Sequence, residues 1–444
     1  MDAKWRLLLL TALLALSSVF QMGYTNAYPN TAITSFREYL NASHNPPGEL
    51  SNTEYEWIWS ATLNIYFVGF AIGSLCTGII ADRIGRKPTL ILGNMGNLVS
   101  VVVATVSIAF YVSWMFALSR LIMSFSAAIS MNSLILLFQE SAPSNLKGIV
   151  SFNAEMAFVI TNLIGAICGM QGVLGSNLVM LVGLSCIPTL LSVLLSLHLH
   201  ESPRYLLLRK RDDGAAIKSL RFYQRPDEIT AQKTIEEIKK ESQNDEKGTS
   251  LLTIFQTPHL RKGFLLGVCT MQITTSVWPI VYYSTDFLTR AGSSYELAEF
   301  VSTAMLFVSS ISTLVGMFLV ERLPRKWLLV GCSIVNMSAL LSFSLCAMLQ
   351  DKFAFLTYGC IASLILHGAS YSVALGPIAW FITSELMPLS CRALAQSVVL
   401  AINHTIALVV SFVSFPLYTA IGPIILIVLF VIPDKECTHQ RRHN

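Results

Sequence analysis

The sequence has few charged residues. Lys and Arg number 30 and Asp and Glu number 26 among 444 residues, so 13% of the chain is charged, which is about half of the usual fraction in soluble proteins. Residues 200–262 contain 13 basic and 10 acidic residues, which leaves 33 charged residues for the other 381 positions. Because 53% of the residues are hydrophobic, this distribution excludes an ordinary soluble enzyme and indicates a chain that is mostly buried or in contact with lipid.

Several chemical signatures are also missing. The nine cysteines form no C-x-x-C pair and no Cys/His metal spacing, which indicates small buried residues and not a zinc site. The net charge of +4 comes mainly from loops and tails and does not form a nucleic-acid footprint. The charged central segment has no nucleophile elbow and no Gly-rich phosphate loop. We therefore expect no enzyme activity, no cofactor, no metal and no nucleic-acid partner.

Long uncharged runs dominate the rest of the chain. A helix needs about 20 apolar residues to cross roughly 30 Å of hydrocarbon. The first run has no A-x-A-like end, so it is interpreted as a span and not as a cleavable signal. The predicted spans are 7–28, 57–81, two in 88–139, two in 148–200, then 263–285, 300–320, 327–350, 353–384 and the first part of 393–433. Only nine residues lie between Pro423 and Pro433, about 14 Å of helix, so the twelfth helix is predicted to be shortened. The predicted fold class is an all-α integral membrane protein with 6+6 transmembrane helices.

The basic residues favour one topology. If both termini and the charged loop share a side, 26 of the 30 Lys and Arg residues lie there. Only Arg120 then lies within a span, and three basic residues lie on the other side: Arg37, Arg290 and Lys352. Because basic residues favour the cytoplasm, we expect cytoplasmic termini and an external loop 29–56. The sequence Asn-Ala-Ser in this loop predicts N-glycosylation at Asn41.

Two charge motifs occur twice. D-R-I-G-R-K at 82–87 recurs as E-R-L-P-R-K at 321–326, 239 residues later, and E-S-A-P-S-N-L-K at 140–147 recurs as E-L-M-P-L-S-C-R at 385–392, 245 residues later. Two motifs repeated at nearly one offset indicate a duplicated six-helix half. We predict that these charges pair across the seam between the halves and hold one of two conformations shut. The alternative is that they only set the topology. The predicted gating residues are Asp82, Arg83, Arg86, Lys87, Arg120, Glu140, Lys147, Glu321, Arg322, Arg325, Lys326, Glu385 and Arg392.

These motifs, taken together, resemble the sugar porter family of the major facilitator superfamily, and within it the animal facilitative glucose transporters. The motifs that carry the resemblance are D-R-I-G-R-K, Q-E-S-A-P-S-N-L-K-G (139–148), E-S-P-R-Y-L (201–206), V-Y-Y-S-T (281–285) and G-P-I-A-W-F-I-T-S-E-L (376–386). The resemblance covers residues 7–436 and implies two pseudo-symmetric halves that rock about a central site. The implied division is 1–199 and 263–433 for the halves, 200–262 for a helical cytoplasmic loop and 434–444 for a cytoplasmic tail.

The resemblance also implies positions for substrate contacts. Glu155 stands where relatives usually have a sugar-binding Gln, and Gln272 is kept while a second Gln and an Asn of the seventh helix are replaced. Because sugar hydroxyls need amides or carboxylates to replace water, these losses and the added Trp278 predict a smaller or less polar pocket than a glucose site. The predicted substrate-binding residues are Gln21, Glu155, Gln272, Trp278, Tyr282, Tyr283, Ser309, Ser372, Trp380 and Asn403.

The ionisable residues within spans need separate interpretations. Glu155 is costly in a membrane, so it is interpreted as a substrate acceptor, as a counter-ion for a cationic substrate, as a proton carrier, or as a residue paired with a base or near the interface. We assign Arg120 to the charge network near Glu140 and not to the pocket. His367 and His404 are predicted to be packing residues with satisfied hydrogen bonds.

The first helix decides between two modes of transport. Proton-coupled members of the resembled family carry an Asp directly after the Gly-Tyr pair, whereas Gly23-Tyr24 is followed here by Thr25. The predicted function is therefore facilitated diffusion of a hexose or related sugar across the plasma membrane. The alternatives are a proton-coupled or cation-preferring carrier that uses Glu155, and a non-transporting sugar sensor or inactive isoform. The predicted partners are a small-molecule sugar and the lipid bilayer, and the sequence indicates no oligomeric state.

Overall fold

Helices make up all the regular structure in the residues that the computed structural model describes, which are 3–44, 50–143, 146–245, 251–387 and 389–431. The N-terminal bundle consists of α1 (Ala3–Ser18), α2 (Phe20–Thr31), α3 (Ile33–Ser43), α4 (Asn52–Ile84), α5 (Arg86–Ala109), α6 (Ser113–Ser141), α7 (Lys147–Gly169), a π-helical turn (Gln171–Gly175), α8 (Leu178–Leu184) and α9 (Cys186–Leu197).

The charged segment forms short helices, and a second bundle follows it. The segment contains α10 (Pro203–Tyr205), a π-helical turn (Leu206–Lys210), α11 (Asp213–Tyr223), α12 (Glu228–Asp245) and α13 (Leu251–Gln256). The C-terminal bundle consists of α14 (Pro258–Gln272), a 3-10 turn (Ile273–Ser276), α15 (Val277–Arg290), α16 (Tyr295–Arg322), α17 (Arg325–Leu349), α18 (Leu356–Ser370), a π-helical turn (Tyr371–Leu375), α19 (Gly376–Leu386), α20 (Leu389–Ile421), α21 (Ile424–Leu426) and a π-helical turn (Ile427–Val431).

The number of spans agrees with the predicted fold class. Among the described residues, nine helices are long and apolar enough to cross a membrane, and the pair α1 and α2, bent by 46°, makes a tenth. Part of α7, Asn153–Gly169, is a shorter apolar helix. Within the described part of the chain, Gly422 is followed only by α21 and the π-helical turn after it. This short stretch is consistent with the prediction of a shortened twelfth helix. The all-α membrane fold is confirmed.

Helix ends extend beyond the apolar runs where a cap is available. α4 begins at Asn52, five residues before the predicted span, because Ser51 and Glu54 form a capping box. The Ser51 hydroxyl accepts from the Glu54 amide at 3.3 Å, and the Glu54 carboxylate accepts from the Ser51 amide at 3.1 Å. These bonds satisfy amide groups that a helix start otherwise leaves open, so the helix continues into polar sequence.

Small residues bring α4 and α6 together. A Cβ atom on Gly69 would lie 2.0 Å from the Ser124 hydroxyl, and one on Gly73 would lie 2.5 Å from the Phe125 carbonyl oxygen. Membrane helices gain no hydrophobic drive from each other, so close packing of this kind holds them together. The two bundles meet mainly where α2 packs on α15, α4 on α20 and α7 on α16.

The ends of the helices define two sides of the molecule, the loop side and the opposite side. The loop side is the side at which residues 198–257 connect the bundles, where α4 ends and α5 begins. The opposite side is where α2 ends and α4 begins.

Candidate substrate cavity and its closure

A cavity of about 70 Å³ lies between the two bundles, near the middle of the helices. α2, α6 and α7 line it from the N-terminal bundle, and α15, α16 and residues 367–377 line it from the C-terminal bundle. Four predicted substrate residues share this cavity: Glu155, Trp278, Ser309 and Ser372. A volume of this size holds about five water molecules, so a hexose requires the bundles to part further. The roles of these four residues in binding stay a prediction.

Glu155 reaches the cavity because of its place on α7. Glu155, Phe158, Val159 and Asn162 recur at intervals of three and four residues, which puts them on one face of the helix. Glu155 is partly buried and accepts no hydrogen bond from the residues that the structure describes. It therefore has no hydrogen-bond partner within the described chain, although Tyr371 of the same cavity is close enough to interact with its charge.

His367 and Tyr371 also line the cavity, and neither was predicted to do so. The His367 ring is fully buried, its Nε2 lies 3.4 Å from the Ser276 hydroxyl, and its Nδ1 has no partner among the described residues. The prediction of a satisfied packing histidine is wrong here, because spacing in the sequence does not show which nitrogen atoms find partners. His404 does behave as a packing residue, stacked on Phe70 with ring centroids 4.8 Å apart.

Hydrogen bonds between the bundles close the cavity from the opposite side. The Tyr283 hydroxyl accepts from the Asn64 amide at 2.9 Å, and the Tyr282 hydroxyl donates to the Asn26 side-chain oxygen at 3.2 Å. The Asn30 amide donates to the Ser284 hydroxyl at 2.8 Å. The tyrosines and asparagines of this set are buried. Tyr282 lies four residues beyond Trp278, about 6 Å along the helix. The closure is therefore adjacent to the cavity, between it and the opposite side.

An ion-pair cluster extends the closure to the end of the helices. The Arg290 guanidinium lies 3.2 Å from the Glu56 carboxylate of α4 and 2.7 Å from the Asp286 carboxylate of its own helix. Thr419 of α20 donates to the second Glu56 oxygen at 2.6 Å. Glu56 is 8% exposed, whereas the Arg290 side chain is 40% exposed, so the pair lies at the boundary between the closure and solvent. Glu56, Asp286 and Arg290 were not predicted as site residues. The available signal was charge of both signs at the predicted outer ends of spans two and seven.

Several predicted substrate residues lie elsewhere in this structure. Tyr282 and Tyr283 belong to the closure and do not line the cavity. Gln21 accepts a bond from Thr189 at 3.4 Å inside the N-terminal bundle. Asn403 donates to the Met271 carbonyl oxygen at 2.9 Å and lies 3.5 Å from the Gln272 side-chain oxygen, inside the C-terminal bundle.

Some predicted side chains are outside the described part of the structure. They are those of Lys147, Glu321, Trp380, Glu385 and Arg392. Of the gating residues near α17, Arg322 and Lys326 are exposed and Arg325 is partly buried. The gating role of the seven charged residues and the substrate-binding role of Trp380 stay predictions.

The charge network on the loop side lies within one bundle. Arg86 at the start of α5 binds both oxygens of Glu140 at the end of α6, with Nη2 at 2.9 Å and Nε at 3.0 Å, and also reaches Asp82 at 3.2 Å. Ser202 donates to the same Glu140 carboxylate. In this conformation Arg86 and Glu140 pair with each other and not across the seam, so pairing across the seam stays a prediction for another conformation. The turn at Gly85 folds α5 back beside α6, so that the two residues face each other inside the N-terminal bundle.

Glu201 caps the start of α5. Its carboxylate accepts from the Arg86 amide at 2.9 Å and from the Lys87 amide at 3.2 Å, where the helix presents unpaired amides. Burial raises the pKa of Glu201, and the backbone amides and Arg86 oppose that rise. Gly85 precedes this site at φ 108°, and a Cβ there would lie 2.2 Å from the Glu201 carboxylate.

Arg120 is not part of that network. It lies 20 residues before Glu140 on the same helix, about 30 Å along the axis, so the predicted assignment to the network is wrong. The side chain is 2% exposed and donates to the carbonyl oxygens of Thr25 at 3.0 Å and Leu63 at 3.3 Å. Arg120 therefore ties α2 and α4 to α6 inside the N-terminal bundle.

The chain is similar to known transporters over most of its length. Residues 9–432 match the family described as sugar (and other) transporter. Solute carrier family 2, facilitated glucose transporter member 5 of Equus caballus is 28% identical over 400 residues, which cover 88% of this chain and 79% of the relative. Member 7 of Mus musculus is 27% identical over 424 residues, which cover 94% of this chain and 82% of the relative.

Solved structures share the fold. The xylose transporter XylE from E. coli in a partially occluded inward open conformation has a TM-score of 0.75 and 18% identity, and the match covers 96% of this chain and 98% of that chain. The proton:xylose symporter XylE bound to 6-bromo-6-deoxy-D-glucose has a TM-score of 0.78 and 19% identity, with 98% and 95% covered. This likeness shows the major facilitator arrangement of helices.

Proposed function

This chain belongs to the sugar (and other) transporter family, and from that premise we propose that it moves a hexose or a related sugar across the plasma membrane by facilitated diffusion. Membership makes it a multi-pass membrane transporter and not an enzyme. The observation that supports this proposal best is a cavity lined by both bundles and closed on the opposite side by hydrogen bonds between them.

Alternating access follows from that arrangement. A cavity shared by two bundles opens to one side when the bundles part on that side and stay in contact on the other. With cytoplasmic termini, as the basic residues favour, this conformation is closed to the outside. Breaking the bonds of Asn64 and Asn26 to the tyrosines of α15 would then admit substrate from outside.

Uniport is favoured over proton coupling by the surroundings of Arg120. The resembled proton-coupled members have an Asp at the position of Thr25, whereas Arg120 here contacts the Thr25 backbone carbonyl at 3.0 Å. α1 and α2 contain no acidic residue among those described. No carboxylate beside Arg120 in the described chain is thus available to carry a proton with the sugar.

Counterflow in proteoliposomes tests this function. Vesicles loaded with an unlabelled hexose should take up the labelled hexose transiently, and L-glucose should give no signal. Imposing a pH gradient should leave the rate unchanged. A lack of counterflow with every hexose, fructose included, would favour the non-transporting sensor, and uptake driven by the pH gradient would favour a symporter.

The topology is tested separately. Tags at either terminus should be accessible only after cells are permeabilised. The wild type should lose mass on deglycosylation, and Asn41→Gln should abolish that loss. A tag detected on intact cells would reverse the proposed orientation.

A further inference from the structure

The charge inside the cavity is one-sided. Glu155 is the one carboxylate among the described residues that line the cavity, and none of those residues is Lys or Arg. The ionisable ring of His367, which also lines the cavity, is fully buried and contacts Ser276, with no ion pair to Glu155. The described chain also donates no hydrogen bond to it. An ionised carboxylate in a low-dielectric site is costly unless a cation or a set of donors compensates it. The compensating group is therefore expected to come from what enters the cavity.

The walls around Glu155 suit a cation with an attached polar body. Met22, Met131 and Phe158 supply polarisable or aromatic surface from the N-terminal bundle, and Trp278 supplies an indole face from α15. Aromatic faces attract ammonium groups. Hydroxyls of Ser309 and Ser372 line the part formed by the C-terminal bundle, where a polyol can bond.

We propose that this cavity takes an amino sugar, with its protonated amine paired to Glu155 and its hydroxyls toward the C-terminal bundle. The proposal rests on the proposed sugar transport and narrows its substrate class. A charge-assisted pair of this kind is stronger than a neutral hydrogen bond and selects the amine over the matching hydroxyl. Glu155 is in this view the residue that determines specificity.

The test compares 2-amino-2-deoxy-D-glucose with D-glucose, which differ at one group. Binding is measured by the ligand-induced rise in melting temperature of purified protein, and transport by counterflow. The wild type should bind the amino sugar about tenfold or more tightly than glucose. Glu155→Gln should remove this preference, so that the two sugars bind with similar affinity, while Glu155→Asp should keep part of the preference.

Glu38→Gln is the matched control, because Glu38 is exposed on α3 and far from the cavity; it should leave the preference intact. Equal binding of the two sugars by the wild type, or an unchanged preference in Glu155→Gln, overturns the proposal. Glucose accumulation that a protonophore abolishes in the wild type and that Glu155→Gln lacks also overturns it, because the carboxylate then carries a proton. Binding of the amino sugar without counterflow would support this inference and contradict the proposed transport, so the two can fail separately.

Discussion

The two sides of the molecule use polar contacts differently. On the opposite side, Tyr283, Asn64 and Arg290 join one bundle to the other through bonds of about 3 Å. On the loop side, Arg86 and Glu140 join helices of the same bundle. The opposite side therefore controls the distance between the bundles, whereas the loop side makes the N-terminal bundle a stiffer body.

This difference separates two effects of mutation. Contacts between bundles exist in one conformation and break in the other, so their loss changes the populations of the two states. Contacts within a bundle persist in both, so their loss lowers stability in each. The following variants test whether the two sides really differ in this way.

The largest effect is expected from Arg86→Ala. The Arg86 and Glu140 side chains are 13% and 12% exposed, and removing one partner leaves a largely buried carboxylate, a loss of about 3 kcal/mol. We expect a clearly lower melting temperature and slower transport, with sugar binding changed little. Lys218→Ala, which removes the same charge at an exposed position of α11, is the control and should behave like the wild type. Unchanged stability in Arg86→Ala would contradict a stiffening role.

The turn between α4 and α5 gives the next effect. Gly85→Ala puts a Cβ at 2.2 Å from the Glu201 carboxylate and forces a side chain into φ 108°, which we expect to cost about 2 kcal/mol. Gly78→Ala in α4 places a Cβ that meets nothing within 4 Å, and it should stabilise the protein slightly. Thermal unfolding of the two variants measures the difference. Equal melting temperatures would show that the turn relaxes easily.

Tyr283→Phe should shift populations by about fivefold. It removes the bonds to Asn64 at 2.9 Å and Ser60 at 3.3 Å, worth about 1 kcal/mol. Labelling of Ser309→Cys, in a cysteine-free background, by a maleimide added from the opposite side should rise. Tyr24→Phe removes a buried bond within the N-terminal bundle, to the Leu181 carbonyl at 2.6 Å, and should lower stability without changing the labelling. Equal labelling of Ser309→Cys in the Tyr283→Phe and Tyr24→Phe variants would contradict the difference between contacts across the bundles and contacts within one.

The smallest effect concerns pH. Since burial raises the pKa of Glu201, the folded state holds this proton more tightly than the unfolded state, and the stability it adds at low pH is lost as pH rises through the raised pKa. Glu201→Gln keeps an oxygen acceptor and does not titrate. The free energy of unfolding of Glu201→Gln, relative to that of the wild type, should increase by less than about 1 kcal/mol between about pH 4 and about pH 7. Melting temperatures of both proteins across this pH range measure the change. A pH-independent difference would contradict this assignment.

The sequence predicted the spans well because lipid requires long uncharged helices. A turn near Tyr111 divides the run 88–139 into two helices, and a break after Gly169 divides the run 148–200, as the prediction of two spans in each run requires. Details within a span were less predictable: the 3-10 turn Ile273–Ser276 and the π-helical turn Tyr371–Leu375 interrupt helices without a change in composition. Such breaks depend on packing against neighbouring helices, which hydropathy does not describe.

The site was predicted in part. The cost of an acid in a membrane pointed to Glu155, and the structure places it in the cavity. The motif predicted Tyr282 as a substrate contact, whereas in this structure its hydroxyl donates to Asn26 of the other bundle. A sequence pattern gives the face of a helix, whereas the partner of that face changes with conformation. Arg86 differs from Tyr282, because the turn at Gly85 places it beside Glu140 of its own bundle, which the motif alone does not show.

The 46° bend between α1 and α2 divides the first span into two helical segments joined by a hinge. α1 packs on α7 and α9, whereas α2 also touches α15 of the other bundle. α2 has 12 residues and is about 18 Å long, so a change of about 10° at the joint swings its far end by about 3 Å. At Asn30, ten residues from the joint, the displacement is about 2.6 Å, close to the 2.8 Å length of its bond to Ser284. Opening on the opposite side can thus begin with a small hinge motion of α2 away from α15, before either bundle moves as a whole.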